Sequence, residues 1–414
     1  MMVRAWLALS ALIFIAAAVP AGAQAPIPEP WANKPAWLHF DLGRSSYASK
    51  DFGAAIVSFD RAISYRRDAF TAAQARLSSA LGSNAAKAAG DSIAALLEAF
   101  AAEDFLPAEY ARIRAESGSS LRKRLLRIQD HRIGDSHRAF IEVLLLALEY
   151  KPVESFKDSI RALAEALRLL VWYPEAEYWK GKVFMLEGEL VLASKQYNRA
   201  FDMREALDVP DFVYEIQYGM ADLYSLMPHY AADWEKVMER ILESERGGDG
   251  TLLDDKLKDA MRATLTGQGF DRFMTLYRIE PGITQRANRE LAEYYLERGR
   301  AHALARAAVA VNMILTPALR LARLKDPDYV WTGLEDFLGR AAAQPALREY
   351  LDEQEFDRVL FVLADALYVG NARQEAQKLW RAVSVRGRIP YAGLAARRLE
   401  NPSTAVRVTQ PGRP

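Results

Sequence analysis

Apolar residues recur at helical spacing along nearly the whole of this sequence. Between Trp37 and Leu399 they return every three or four positions, and one clear stripe contains Ile160, Leu163 and Leu167. Ala, Leu, Arg and Glu, which favour helices, are frequent, whereas alternating runs of β-branched residues are scarce. Short clusters of Gly, Pro and Asp interrupt the pattern at intervals typical of paired antiparallel helices. The sequence therefore predicts an all-α chain.

The helical pattern also repeats along the chain. A Leu42-Gly43 pair is followed, after a break, by the run Phe52-x-x-Ala-Ile-x-x-Phe-x-x-Ala-Ile. Further copies begin near Pro174, Tyr214, Gln285 and Asp357, and weaker units lie at 140–173 and 251–284. The pattern resembles the tetratricopeptide repeat (TPR), a helix–turn–helix unit of about 34 residues. This resemblance implies an α-α superhelical solenoid of stacked antiparallel helix pairs, because one pair alone cannot bury its apolar face.

The first residues are typical of a secretory signal peptide. Arg4 is followed by an uncharged apolar run, and Ala21-Gly22-Ala23 supplies a small-residue cleavage site. We therefore expect a periplasmic or secreted protein, soluble after cleavage near Ala23, with no second long apolar segment. The expected organisation is a signal peptide at 1–23, a Pro-rich linker at 24–35, an N-terminal TPR-like unit plus irregular helices at 36–135, a TPR-like array with a C-terminal capping helix at 136–400, and a flexible tail at 401–414.

Composition excludes several classes of protein. The sequence holds 54 basic and 54 acidic residues, a balance that argues against a dedicated nucleic-acid binder. It contains no cysteine, which excludes disulfides, thiolate nucleophiles and Cys-ligated zinc or iron–sulfur clusters. At 51% hydrophobic residues it is too apolar for a disordered chain.

Motifs for catalysis, cofactors and metals are not found in the sequence. Its five histidines form no HExxH, and no P-loop, GxSxG elbow or GxGxxG turn is present. The Gly- and Asp-rich segment 247–255 lacks the spacing of an EF-hand loop. Carboxylate pairs one helical turn apart, such as Glu293 and Glu297, are typical of a solvated helix face. We therefore expect a protein that is not an enzyme and has no catalytic, cofactor or metal site.

The resemblance to TPR proteins implies a concave groove lined by the first helix of each unit. The fifth residue of that helix often faces a bound peptide, and here it is usually aromatic. Aromatic side chains are enriched in binding hot spots. With neighbouring charged positions, the predicted partner groove consists of Phe40, Arg44, Tyr178, Lys182, Tyr218, Asp222, Arg289 and Phe361. The alternative is that the rings fill contacts between adjacent first helices. The set lacks the Lys/Asn clamp with which chaperone-binding TPR proteins hold a terminal carboxylate.

A basic amphipathic segment is the second candidate site. Its predicted patch consists of Arg122, Lys123, Arg124, Arg127 and Arg132. Such a helix suits an acidic partner, a glycan phosphate or an anionic lipid surface, and it is equally typical of a solvated face.

These features favour a non-enzymatic exported scaffold or adaptor. Its expected partner is another exported or envelope protein, held along the concave face in an outer-membrane, secretion, pilus or flagellar assembly. We expect no nucleic-acid partner and at most peripheral membrane contact. The alternative is a cell-wall accessory, because Tyr391-Ala-Gly-Leu-Ala-Ala-Arg-Arg-Leu is similar to the close of the helical part of soluble lytic transglycosylases. That resemblance implies peptidoglycan binding without the catalytic domain of that family.

Overall fold

The computed structural model describes residues 35–82, 121–149, 157–244, 255–386 and 390–406. All regular elements in these ranges are helices, so the all-α prediction is confirmed for this part of the chain. The predicted signal peptide, nearly all of the Pro-rich linker and most of the C-terminal tail lie outside the described residues. The described residues form two compact units, which divide between Ala176 and Glu177.

The first unit is built around one long helix. Its helices are α1 (Ala36–Ala48), α2 (Phe52–Gly82), α3 (Leu121–Gln129), α4 (Asp135–Glu149) and α5 (Lys157–Leu170). Helix α2 pairs with α1 and continues far beyond the predicted repeat, so that it also packs against α5. Phe70 and Leu77 of α2 share a core with Phe140, Leu163 and Leu167. Because this core joins α4 and α5 to α2, the division between the units falls later than the expected boundary at 135–136.

The second unit is a succession of short helices. They are α6 (Pro174–Leu186), which begins just before the division, α7 (Leu190–Asp202), α8 (Phe212–Ser225), α9 (Ala231–Glu243), α10 (Asp255–Gln268), α11 (Phe270–Leu276), α12 (Gln285–Glu297), α13 (His302–Arg323), α14 (Leu334–Ala343), α15 (Pro345–Glu353), α16 (Phe356–Val369), α17 (Arg373–Arg386) and α18 (Tyr391–Glu400). Neighbouring helices pair as α8 with α9, α12 with α13 and α16 with α17. We term α8, α12 and α16 the first helices of these pairs.

Two of the helix pairs cross through the same contact. A Cβ at Gly43 of α1 would lie 2.5 Å from the Phe59 ring of α2, and one at Gly181 of α6 would lie 2.6 Å from the Tyr197 ring of α7. Both rings are fully buried. The glycine therefore lets a large ring pack directly against the backbone of the facing helix, at the same sequence spacing in each pair.

Helix α13 lies at the centre of the second unit. By length and composition it is apolar enough to cross a membrane, whereas no long apolar segment was expected beyond the N-terminus. Its most apolar window is 72% buried inside the protein, as in the core helix of a packed domain. The buried Asn312 of α13 accepts a bond from the Ile279 amide (2.7 Å) and donates one to the Tyr277 carbonyl (3.1 Å). The segment before α12 is thereby fixed to the core.

Candidate interaction surface

Ion pairs join the first helices of the second unit to one another and join α16 to α18. In each pair, a carboxylate late in one first helix bonds an arginine of a helix further along the chain. The pairs are Asp222 with Arg286, Glu293 with Arg358, and Asp365 with Arg398. We term these three pairs the ion-pair row.

The first pair of the row covers an aromatic ring. The Arg286 guanidinium of α12 donates to both carboxylate oxygens of Asp222 on α8, and its Nε lies 2.7 Å from Oε1 of Glu290. The same guanidinium lies 4.9 Å from the centroid of the Tyr218 ring. Burial lowers the pKa of Arg286, but the two carboxylates raise it by more, so the cation is retained. Tyr218 is therefore held under a fixed positive charge.

The Tyr218 hydroxyl is also fully engaged. It donates to the Ile283 carbonyl at 2.5 Å and accepts from the Ala287 amide at 3.2 Å. Burial raises the pKa of this phenol well above its usual value, and the Ala287 amide and the nearby arginines only partly oppose the shift. The side chain therefore stays neutral and connects α8 to the start of α12, which suits recognition rather than proton transfer.

The second pair is bidentate and more enclosed. Arg358 of α16 places Nε 2.6 Å and Nη2 2.7 Å from the two carboxylate oxygens of Glu293 on α12. Its remaining nitrogen, Nη1, lies 3.1 Å from Glu355, which also pairs with Arg289 at 3.2 Å. The side chain of Glu293 is only 12% exposed, so it does not belong to the solvated face that the sequence favoured.

The third pair is buried. Asp365 of α16 has no exposed surface and accepts from Trp380 Nε1 at 2.8 Å and from Arg398 Nε at 3.2 Å. Arg398 also donates to Thr404 at 2.8 Å. Burial raises the pKa of Asp365 to about 6, against the opposing effects of Arg398 and Trp380. Arg398 lies in the segment Tyr391–Leu399 that resembles soluble lytic transglycosylases. Its bonds to Asp365 and Thr404 hold α18 in place, so this residue has a structural role that needs no glycan ligand.

Three of the predicted groove residues lie together in the second unit. Tyr218 and Asp222 on α8 face Arg286 and Arg289 on α12, and Arg289 acts on the Tyr218 phenol through its charge. An open cleft of about 250 Å³ adjoins them. It is lined by Gly282, Ile283, Gln285, Arg286, Arg289, Ala310, Ile314 and Gln354. Arg286 was not among the predicted groove residues. Arg358 occupies the equivalent position in the first turn of its own repeat, and this recurrence was a signal that could have identified Arg286.

Two other predicted groove residues are buried between helices. Tyr178 is 4% exposed and packs against the rings of Tyr197 and Phe212. Phe361 is 3% exposed and packs against the Tyr391 ring. These rings fill contacts between neighbouring helices, which is the alternative that the sequence left open for the aromatic set.

The remaining predicted groove residues, Lys182, Phe40 and Arg44, belong to two contacts between a cation and an aromatic ring. The Lys182 amine lies 4.4 Å from the Trp179 ring centroid and 5.7 Å from that of Tyr178. In the first unit, the Arg44 guanidinium lies 5.9 Å from the Phe40 ring, which contacts Phe59 and Tyr173. Arg44 also forms an ion pair with Asp41 at 3.8 Å. Each cation therefore covers an aromatic ring one turn before it on the same helix.

The predicted basic patch lies on α3 and the segment after it. Arg122, Lys123, Arg127 and Arg132 are exposed and Arg124 is half-buried, while Leu125 and Ile128 of α3 enter the core. Arg122 pairs with Glu149 at 2.8 Å. The patch is thus the outer face of an amphipathic helix whose apolar side is already used by its own unit.

Within the described ranges, no group of three or more His, Asp or Glu side chains is arranged to hold a metal ion.

Comparison with known proteins gives little functional information. No family model and no solved structure matches the chain. An uncharacterized protein of Treponema pallidum (strain Nichols) is 27% identical over 227 residues. The match covers 54% of this chain and 60% of that protein.

Proposed function

We propose that this chain is a non-enzymatic scaffold or adaptor that binds a protein partner across the surface of α8, α12 and α16, which we term the first-helix face. The supporting observation is the grouping of Tyr218 and Asp222 with Arg286 and Arg289 beside the open cleft of about 250 Å³. Tyrosine and arginine are, with tryptophan, the side chains enriched at binding hot spots. This surface combines both, with polar groups whose positions are fixed by bonds between two helices.

Fixed side chains favour binding because less entropy is lost on association. Immobilising a flexible side chain at an interface costs about 0.5–1.5 kcal/mol. Here the guanidinium of Arg286 is already held by Asp222 and Glu290, and Arg289 by Glu355. Because these charges are balanced, the surface suits the mixed polar contacts of a protein better than a polyanion.

The proposal also includes a TPR-like solenoid fold and an exported location. The paired helices, with small residues at crossings such as Gly181, are the arrangement expected of a TPR-like α-solenoid. The signal-like segment at 1–23 supports export, with a partner among periplasmic, secreted or outer-membrane proteins. Contact with a membrane would then be peripheral.

Site-specific photocrosslinking tests this function in cells that naturally make the protein. A benzophenone amino acid at Ile283, in the cleft, should yield an adduct with one reproducible exported protein. The same amino acid at Leu324, which is 78% exposed and lies outside the cleft, is the control position. The adduct at position 283 should be lost when Tyr218→Ala and Arg289→Ala are combined.

Two outcomes would contradict the proposal. One is an adduct pattern that is the same at positions 283 and 324. The other is retention of the purified chain on sedimented peptidoglycan that Tyr218→Ala with Arg289→Ala abolishes, since the face would then bind glycan.

A further inference from the structure

A second and larger cleft opens between α14, α15 and α17. Its volume is about 590 Å³. The apolar lining is formed by Leu338, Ala341, Ala342, Ala382 and Val385, and the charged lining by Glu335, Arg348, Asp352 and Arg381. Three of the apolar residues are alanines, so a trough is left between the helices. Val385, at 85% exposure, is an apolar side chain facing solvent beside this trough.

The two arginines of this cleft differ from those of the ion-pair row. Arg348 and Arg381 are exposed, and neither makes a side-chain hydrogen bond or ion pair with any residue that the structure describes. Exposed guanidinium groups beside an apolar trough are complementary to a surface that carries both apolar and acidic side chains.

We propose that this cleft binds an amphipathic helix of a partner protein, with the apolar stripe of the helix in the trough and its acidic side chains on Arg348 and Arg381. An α-helix binds such grooves through apolar anchors spaced three or four residues apart. Glu335 and Asp352 lie on the same lining, so we expect the acidic side chains of the helix on the side of the two arginines. The cleft therefore selects one register of the incoming helix.

The shape of the cleft argues against a small-molecule ligand. Sites for small molecules bury about 70–90% of the ligand surface. Here Glu335, Gly339, Ala342, Arg348 and Val385 are all exposed, so the lining encloses little of any small ligand. A helix needs only one of its faces covered. An anionic lipid surface fits less well, since two carboxylates lie in the same concave lining.

Synthetic peptides of matched length test the inference on the full chain. One carries a leucine stripe flanked by glutamate, and the other has lysine in place of each glutamate. Fluorescence anisotropy should show the glutamate peptide binding at least about tenfold more tightly, a difference of about 1.4 kcal/mol. Combined Arg348→Glu and Arg381→Glu should reverse that preference. Arg397→Glu, a single charge reversal at an exposed position on α18, should leave it unchanged.

Three results would overturn the inference. The glutamate peptide could fail to bind, it could bind the doubly substituted chain equally well, or anionic vesicles could bind the chain through Arg348 and Arg381. Val385→Asp adds a check, because it should weaken binding of the glutamate peptide. The inference does not rest on the proposed function: these variants leave Tyr218 intact, so the crosslink from position 283 reports on the other surface separately.

Discussion

Arginines line two surfaces of the second unit, and their surroundings on the two surfaces differ. On the first-helix face, Arg286, Arg289 and Arg358 each bond a carboxylate of another element. In the cleft between α14, α15 and α17, the side chains of Arg348 and Arg381 form no hydrogen bond or ion pair with the described residues. The comparison shows that a count of cations does not locate a binding site. On the first-helix face, arginines that bond a carboxylate connect neighbouring segments of the fold. In the second cleft, arginine side chains without such a bond remain available to a partner protein.

The ion-pair row itself is graded by burial. The side chains of Asp222 and Arg286 are 43% and 35% exposed, those of Glu293 and Arg358 are 12% and 21%, and those of Asp365 and Arg398 are 0% and 7%. Exposed ion pairs contribute little to stability, whereas breaking a buried pair leaves an uncompensated charge. Substitutions along the row should therefore have unequal effects.

The largest effect is expected at the buried pair. Asp365→Ala should lower the free energy of unfolding by about 3–5 kcal/mol, because it leaves the buried Arg398 cation without its carboxylate and the Trp380 N–H without its acceptor. Urea unfolding followed by circular dichroism measures the change. Replacing both partners by apolar residues, with Asp365→Leu and Arg398→Met, should recover most of the loss. A loss below about 1 kcal/mol for Asp365→Ala would show that the pair is dispensable.

The same carboxyl should give the protein a pH-dependent stability. The pKa of Asp365 is about 6 in the folded protein and 3.8 for an ordinary aspartate. A raised folded pKa means that the stabilising contribution of the group is present below pH 3.8 and is lost as pH rises through 6. Relative to Asp365→Asn, the natural chain should gain about 1.4 kcal/mol for each pH unit between 6 and 4. Parallel pH profiles for the two proteins would contradict this.

A smaller effect is expected at the partly buried pair. Glu293→Ala removes two bonds to Arg358 and should cost about 1–3 kcal/mol of unfolding free energy. Glu297→Ala, one turn later on α12, is the comparison variant; its carboxylate makes a longer ion pair, 3.8 Å to Arg298, so this change should cost less than Glu293→Ala. If the two variants lost equal unfolding free energy, the ion pair between Glu293 and Arg358 would contribute nothing specific to stability.

The most exposed pair should contribute least within the row. Asp222→Asn should cost about 0–1 kcal/mol, and the loss should shrink further in concentrated salt. Thermal unfolding at low and high ionic strength provides the measurement. A loss as large as that of Glu293→Ala would contradict a gradient set by burial.

The unpaired arginines should be nearly neutral for stability. Arg348→Gln and Arg381→Gln should each change the unfolding free energy by about 0.5 kcal/mol or less, since no described partner is lost. This result, with weaker binding of the glutamate peptide, would separate a residue kept for recognition from one kept for folding. A loss above about 1 kcal/mol would place these arginines with the ion-pair row instead.

Helical periodicity was sufficient to predict the fold class and several helix starts. Copies were expected to begin at Pro174 and near Gln285, and α6 and α12 begin there. The final helix was expected from Tyr391, where α18 begins. These starts are local properties, because a proline or a polar residue at the head of an apolar stripe determines them without long-range contacts. The TPR assignment and the solenoid arrangement stay predictions.

The environment of each site residue could not be predicted in the same way. Tyr178, Tyr218 and Phe361 occupy equivalent places in the repeat, yet only Tyr218 is half-exposed. What differs is the neighbour, because Phe212 covers Tyr178 and Tyr391 covers Phe361. Periodicity shows which face of a helix a residue occupies, but contacts between distant residues decide what covers it. Asp352 lines the same cleft as Arg348, and the sequence equally could not show that the two side chains do not pair.

The order of partners within the ion-pair row has a consequence for a chain synthesised from its N-terminus. The carboxylate precedes its arginine every time, by 64 residues for Asp222, 65 for Glu293 and 33 for Asp365. At a synthesis rate of about 5–20 residues per second, Asp222 waits roughly 3–13 seconds for its partner to be made. Each acid of the row is therefore made before the arginine that neutralises it in the folded chain.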